Sequence, residues 1–194
     1  MTNSSVEHHP LPPFLPTEAK VLILGSFPPQ KIRWSMDFYY PNLQNDMWRI
    51  MGMIFYSDKD YFLTSDKKNF DERQIKFFCT EKGIAISDAA SAIIRLNNNA
   101  SDKYLEIVQP INLDFIFTQI PHCRAIITTG QKATDTLLEI LKIAEPKIGS
   151  FTAFSFAEKE IRLYRMPSSS RAYPKSLPYK TEIYKAMFDE LGII

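Results

Sequence analysis

The chain has only two cysteines in 194 residues, Cys79 and Cys123, with no C-x-x-C pair and no clustered histidines. This argues against a zinc site or an iron–sulfur cluster, so neither metal nor cofactor is expected. Two isolated thiols fit a reducing, intracellular compartment, which makes cytoplasmic the expected location. Charge of one sign is also lacking: 23 basic side chains face 22 acidic ones, for a net charge of +1. A histone-like surface is excluded, and any polyanion would have to meet a local patch. No apolar run approaches the length of a membrane span, and the opening Met1 to Pro16 is polar and proline-rich rather than a signal peptide. Heptads and internal repeats are missing, which together with short inter-element segments favours a monomer. No G-x-S-x-G surrounds the serine run 168–170 and no histidine is an evident partner for it, so a serine nucleophile is not expected.

Hydrophobic residues make up 45% of the chain, enough for one globular core. Residues 1–19, with Pro10, Pro12, Pro13 and Pro16, read as an extended, mobile arm on the surface that carries His8 and His9. Residues 20–194 read as a single domain. Lys20-Val-Leu-Ile-Leu-Gly25, Gly83-Ile-Ala-Ile-Ser87 and Arg124-Ala-Ile-Ile-Thr-Thr129 are short continuous apolar runs, the pattern of strands buried on both faces. Phe151 to Phe156 and Ile161 to Met166 complete the strand set. Helices are expected over Asn45–Phe55, Asn69–Lys82, Leu113–Ile120, from Gly130 to about Ile143, and over Leu177–Leu191. Pro178 stands at a tolerated first-turn position. Asn97-Asn98-Asn99 reads as a turn or exposed loop.

Strands alternating with helices predict a three-layer α/β/α sandwich around a mostly parallel sheet. Ligands of such sheets bind beyond the carboxyl ends of the strands. That rim would hold the proline- and aromatic-rich loop Ser26–Gln44, Asp88, Gly130 and the loop Ser168–Arg171. One basic stretch stands out: residues 162–185 carry Arg162, Arg165, Arg171, Lys175, Lys180 and Lys185 against Glu182 alone. It reads either as a nucleic-acid patch or as a solvated surface.

Leu24-Gly-Ser-Phe-Pro28, Tyr39-Tyr40, Asn45-Asp-Met-Trp48-Arg-Ile, Gly83-Ile-Ala-Ile-Ser-Asp88 and Met166-Pro-Ser-Ser-Ser170 follow one another in an order that resembles the uracil-DNA glycosylase superfamily. The resemblance spans roughly residues 20–190. It lies nearest the hypoxanthine-DNA glycosylase branch, beside the mismatch-specific uracil and thymine enzymes. It implies a uracil-DNA glycosylase-like sandwich and a monofunctional enzyme of base excision repair. Such an enzyme binds DNA, extrudes a deaminated base (uracil or hypoxanthine) and hydrolyses its N-glycosidic bond without a metal. Phe27 stands where the mismatch-specific enzymes carry a catalytic asparagine. Asn42 and Leu43 replace a common His-Pro, and Arg171 a common proline. These departures bear on substrate range rather than fold.

The resemblance makes Asn45 the catalytic candidate. An amide orients water or hydrogen-bonds the base but is no strong general base; read alone, Asn45 is a helix N-cap, and both can hold. Tyr40 is a candidate stacking platform for the base, or an aromatic packed beneath a loop. Gly25, Ser26 and Phe27 would floor the base pocket with backbone amides, with Phe27 as wall or core. Asp88 would bind the base side of the pocket, orient water or hold loops; as an aspartate after a strand it also suits a helix cap. Ser168, Ser169, Ser170 and Arg171 would meet DNA phosphates, Arg171 alternatively filling the space the base leaves. The competing readings are an altered relative that binds DNA or nucleotide without base release, and a small-molecule hydrolase or binding protein.

Overall fold

The computed structural model describes residues 5–96 and 101–194; the Asn97–Asn99 reading lies outside them. Its main sheet has five strands: β2 (Val21–Gly25), β3 (Ile84–Asp88), β6 (Ala125–Thr128), β7 (Ser150–Phe156) and β8 (Lys159–Arg165). Their order is β3-β2-β6-β8-β7. The first four pair in parallel, while β7 runs antiparallel to β8 at the edge. The sheet is therefore mixed. The exception follows from a two-residue hairpin turn, Ala157–Glu158, in which both residues have positive φ, the conformation of a type I′ turn.

The apolar runs serve two layers at once. In β2, Val21 and Ile23 face a core shared with α1 (Met47–Tyr56), α2 (Glu72–Lys82) and α5 (Leu177–Glu190), which contribute Trp48, Phe78 and Phe188. Leu22 and Leu24 point the other way, against Leu113 and Ile116 of α3 (Leu113–Gln119) and Ala133 and Leu137 of α4 (Gln131–Leu141). Alternate side chains of one strand thus fill opposite cores, so the run must be apolar throughout. Asp71 caps α2 by accepting from the Gln74 N–H at 3.0 Å, and Gly83 closes it with φ +67°. Pro178 sits in the first turn of α5 as expected.

A second sheet was not anticipated. β1 (Val6–His8), β4 (Ala90–Arg95) and β5 (Leu105–Pro110) form an antiparallel sheet in the order β1-β4-β5, packed on Phe27 through Ala90, Ile93 and Leu105. The supposed mobile arm is its edge strand, held further by paired backbone hydrogen bonds of 2.9 Å between Phe14 and Ile86. No described helix is long and apolar enough to cross a membrane.

Candidate active-site cleft

The four parallel strands bring their carboxyl ends to one rim: Gly25 is in register with Asp88, Leu24 with Thr128, and Thr128 with Arg165. The chain crosses from β2 to β3 on one side and then to β6 on the other. A crevice is left where the winding direction changes. There lies a cleft of about 790 Å³. Gly25, Ser26, Phe27, Tyr40, Asn45, Asp88, Ser168, Ser169, Ser170 and Arg171 all line it. These residues come from four separated segments of sequence.

Asn45 lies just ahead of α1. Its Oδ1 accepts the Met47 N–H at 2.9 Å, so it satisfies the first N–H of the helix from the position before the N-cap, and its Nδ2 has no partner among the described residues. This releases Asp46, which occupies the formal N-cap position without a capping bond. The Asp46 carboxylate instead receives Arg171 Nε at 2.9 Å and Lys180 Nζ at 3.2 Å. Lys180, only 1% exposed, also donates to the Ser170 carbonyl at 2.8 Å. The Asp46 N–H donates to the Ser169 carbonyl at 2.8 Å, and Asn45 pairs with Ser170 in an isolated antiparallel bridge. The start of α1 and the serine loop are therefore one unit. Beneath them, the Tyr184 hydroxyl donates to the Pro167 carbonyl at 2.9 Å. Within the loop, the Ser168 Oγ accepts the Ser170 N–H at 3.2 Å and the Ser170 Oγ accepts the Ala172 N–H at 3.2 Å.

Tyr40 has φ +53°, a left-handed conformation rare for an aromatic residue. Its hydroxyl meets Thr129 Oγ1 at 2.8 Å, which ties the long loop to the end of β6. Burial, and then the charge of Asp88, push its pKa well up, so the phenol stays protonated. Phe27 is both wall and core: its ring lines the cleft while packing on Ala90 and Ile93. Asp88 is buried and caps no helix, because β4 begins two residues later. Its Oδ2 lies 2.9 Å from Nε2 of His9, a residue of the arm.

Four of the six cations in the basic stretch 162–185 are held in ion pairs, while Lys175 and Lys185 stay exposed. Arg162 pairs with Glu190, Arg165 with Glu145, and Arg171 and Lys180 with Asp46. Arg171, expected to reach for DNA, gives its Nε to Asp46 while its side chain stays 43% exposed at the cleft. Helical and strand periodicity turned these charges toward acidic partners that are remote in sequence. A second cation lining the cleft is Arg33, in a short 3-10 turn of the Ser26–Gln44 loop. It is exposed and has no side-chain partner among the described residues.

No motif in the sequence marks Asp102, Thr129 or Arg33 as site residues, although the strand run ending at Thr129 and the rim loop holding Arg33 are both legible there. Asp102 lines the cleft as an exposed residue whose carboxyl is nonetheless desolvated by the protein around it. That desolvation raises its pKa, the Ser26 hydroxyl lowers it in part by hydrogen bonding, and the charge of Asp88 adds to the rise. The cysteines are remote from this chemistry: burial pushes the Cys123 thiol up to about 12 and Cys79 higher still. No group of three or more His, Cys, Asp or Glu among the described residues is arranged to hold a metal ion.

No known family model matches the chain, and none of the curated proteins does. Solved structures do. One is the solution structure of a putative uracil DNA glycosylase from Methanosarcina acetivorans, 22% identical, with a TM-score of 0.64 over 97% of this chain and 99% of that one. At that identity the likeness establishes a common fold.

Proposed function

We propose that the chain is a member of the uracil-DNA glycosylase superfamily, a DNA glycosylase that hydrolyses the N-glycosidic bond of an extruded deaminated base, uracil or hypoxanthine. The observation that carries the proposal is Asn45. It has an amide with one end fixed and the other free, in the wall of a cleft where a glycine, two aromatic residues, a carboxylate and a serine loop converge. The fold shared with the putative uracil DNA glycosylase from Methanosarcina acetivorans supports it.

The chemistry follows from what each group offers. Cleavage leaves positive charge on the sugar and negative charge on the departing base. With its Oδ1 spent on the Met47 N–H, Asn45 presents Nδ2 as a donor, so its role is to hydrogen-bond the base as charge builds there. The Asp88 carboxylate supplies an acceptor for the base. Phe27 and Tyr40 give the extruded base the apolar surface it loses on leaving the stack. Hydroxyls and N–H groups of Ser168–Ser170 suit the flanking phosphates.

The test is alkali-revealed abasic sites in labelled oligonucleotides containing uracil, hypoxanthine or xanthine, single- and double-stranded, in chelator. Release of uracil or hypoxanthine is expected. Asn45→Asp keeps a capping oxygen but no amide donor, and should cost about 100-fold in rate with little change in melting. Asn45→Ala loses both, with a further stability cost of about 1 kcal/mol. A folded wild-type protein without product on any substrate would move the reading to DNA or nucleotide binding without catalysis.

Arg33 is the expected phosphate contact. Arg33→Ala should weaken binding of every DNA sequence alike and flatten the slope of log affinity against log salt by about one unit. An unchanged slope would remove Arg33 from the interface.

A further inference from the structure

The N-terminal arm supplies a side chain to the cleft. β1 pairs with β4 through Val6↔Ile94, Glu7↔Ile93 and His8↔Ala92, and the His9 N–H donates to the Ser91 carbonyl at 2.8 Å. Glu7 is paired with the buried Arg95 at 3.1 Å, and Arg95 also donates to the Pro28 carbonyl at 3.1 Å. The register of the arm is thereby fixed on both sheet and loop. The His9 ring that results lies stacked on Tyr39, centroids 5.7 Å apart, with the Phe27 ring edge-on at 5.1 Å. The His9 and Asp88 side chains are 9% and 8% exposed.

Both ring nitrogens are occupied. Nε2 faces Asp88 Oδ2 at 2.9 Å, and Nδ1 faces the Leu11 carbonyl at 2.8 Å and the Leu11 N–H at 3.1 Å. A neutral ring protonated on Nε2 donates to Asp88 and accepts from Leu11 N–H. A doubly protonated ring donates to Asp88 and to the Leu11 carbonyl. In either state Asp88 Oδ2 receives a donor without any movement of the ring. The second oxygen, Oδ1, lies over Gly25, only 2.4 Å from where a Cβ on that glycine would sit. The carboxylate is thus clamped with one oxygen toward the arm and the other over the floor of the cleft.

We propose that His9 is a positioning residue that fixes Asp88 as an acceptor for the ring N–H of the extruded base, and that this contact selects deaminated bases over their parents. The inference rests on the reading of the cleft as a base pocket. Adenine N1 and cytosine N3 are lone-pair acceptors. Deamination turns them into the N1–H of hypoxanthine and the N3–H of uracil. A clamped carboxylate accepts from either N–H and repels either lone pair, so one residue recognises the change common to both lesions.

The test uses duplexes carrying hypoxanthine, N1-methylhypoxanthine or adenine on 2′-fluorinated deoxyribose. Fluorine destabilises the oxocarbenium ion, so binding is read without cleavage. Three proteins are compared. His9→Gln keeps an amide donor at the reach of Nε2. His9→Asn keeps one at the reach of Nδ1, which holds the arm but withdraws from Asp88. Wild type and His9→Gln are expected to prefer hypoxanthine over both competitors by about 10- to 100-fold, one charge-assisted hydrogen bond. His9→Asn should lose most of that preference while melting within the range of His9→Gln. Equal preference in the two variants, or none in wild type, overturns the inference. Preference retained by a wild-type protein that releases no base from ordinary deoxyribose would sink the glycosylase reading and leave the positioning role standing.

Discussion

Gly25→Ala is expected to reduce base release by about 100-fold while leaving the protein folded, because a displacement near 1 Å at a reacting centre is enough for such a loss. The new Cβ would lie 2.4 Å from Asp88 Oδ1 and 3.3 Å from the Tyr40 hydroxyl. Neither neighbour is free to retreat. Asp88 is held by His9 at 2.9 Å, and Tyr40 by Thr129 at 2.8 Å. β2 cannot shift either, since it lies between β3 and β6 with both edges paired. The backbone at Gly25 is not left-handed, so the penalty is steric alone and falls on the carboxylate. Single-turnover rates beside thermal melts would show it. The Gly25→Ala, Asp88→Ala double variant separates the causes: melting should recover as the clash is removed, while activity should not. Full activity in Gly25→Ala alone would mean that the Asp88 position is irrelevant to the chemistry.

The parts of this arrangement that could be read from sequence are those with a short-range signature. The runs at 21–25, 84–88 and 125–128 are apolar because they serve two cores, and a buried parallel sheet implies a ligand rim at its carboxyl edge. The cleft follows from that topology, and the resemblance supplied Asn45. The small sheet has a weaker signature. β4 (Ala-Ser-Ala-Ile-Ile-Arg) pairs with β5 through register shifts around Ala92, so its buried positions do not alternate cleanly. β5 shows Leu105 and Ile107 inward against Glu106 and Val108, a period-two pattern too short to separate from a loop. His9 was hidden for the same reason, because its partner lies 79 residues away and nothing local announces it. Lys180 was misplaced by composition. It belongs to a basic stretch in sequence, but the helix turns it inward onto a carboxylate that could equally have been read as a plain helix cap.

That buried carboxylate gives the largest stability effect. Asp46→Asn should cost about 3–5 kcal/mol, the range for breaking a buried ion pair on one side, and lower the melting temperature by on the order of 10 °C for a chain of this size. Lys180, 1% exposed, would keep the Ser170 carbonyl and at most the neutral amide oxygen at position 46, with no opposite charge to balance its own. Arg171, whose Nε contact is lost, still has its backbone N–H on the Gln44 carbonyl at 3.3 Å and can turn to water. The cost therefore arises from the stranded ammonium, not from the missing attraction. Adding Lys180→Met to Asp46→Asn should recover most of the loss, since an apolar chain of similar length fills the same space without a charge. Denaturant unfolding of the two variants decides the point: if the double variant is as unstable as the single one, the carboxylate matters through the serine loop rather than through Lys180. Activity should part from stability here. The loop that binds Asp46 also borders Asn45, so the stabilised double variant is expected to regain its melting temperature before its rate.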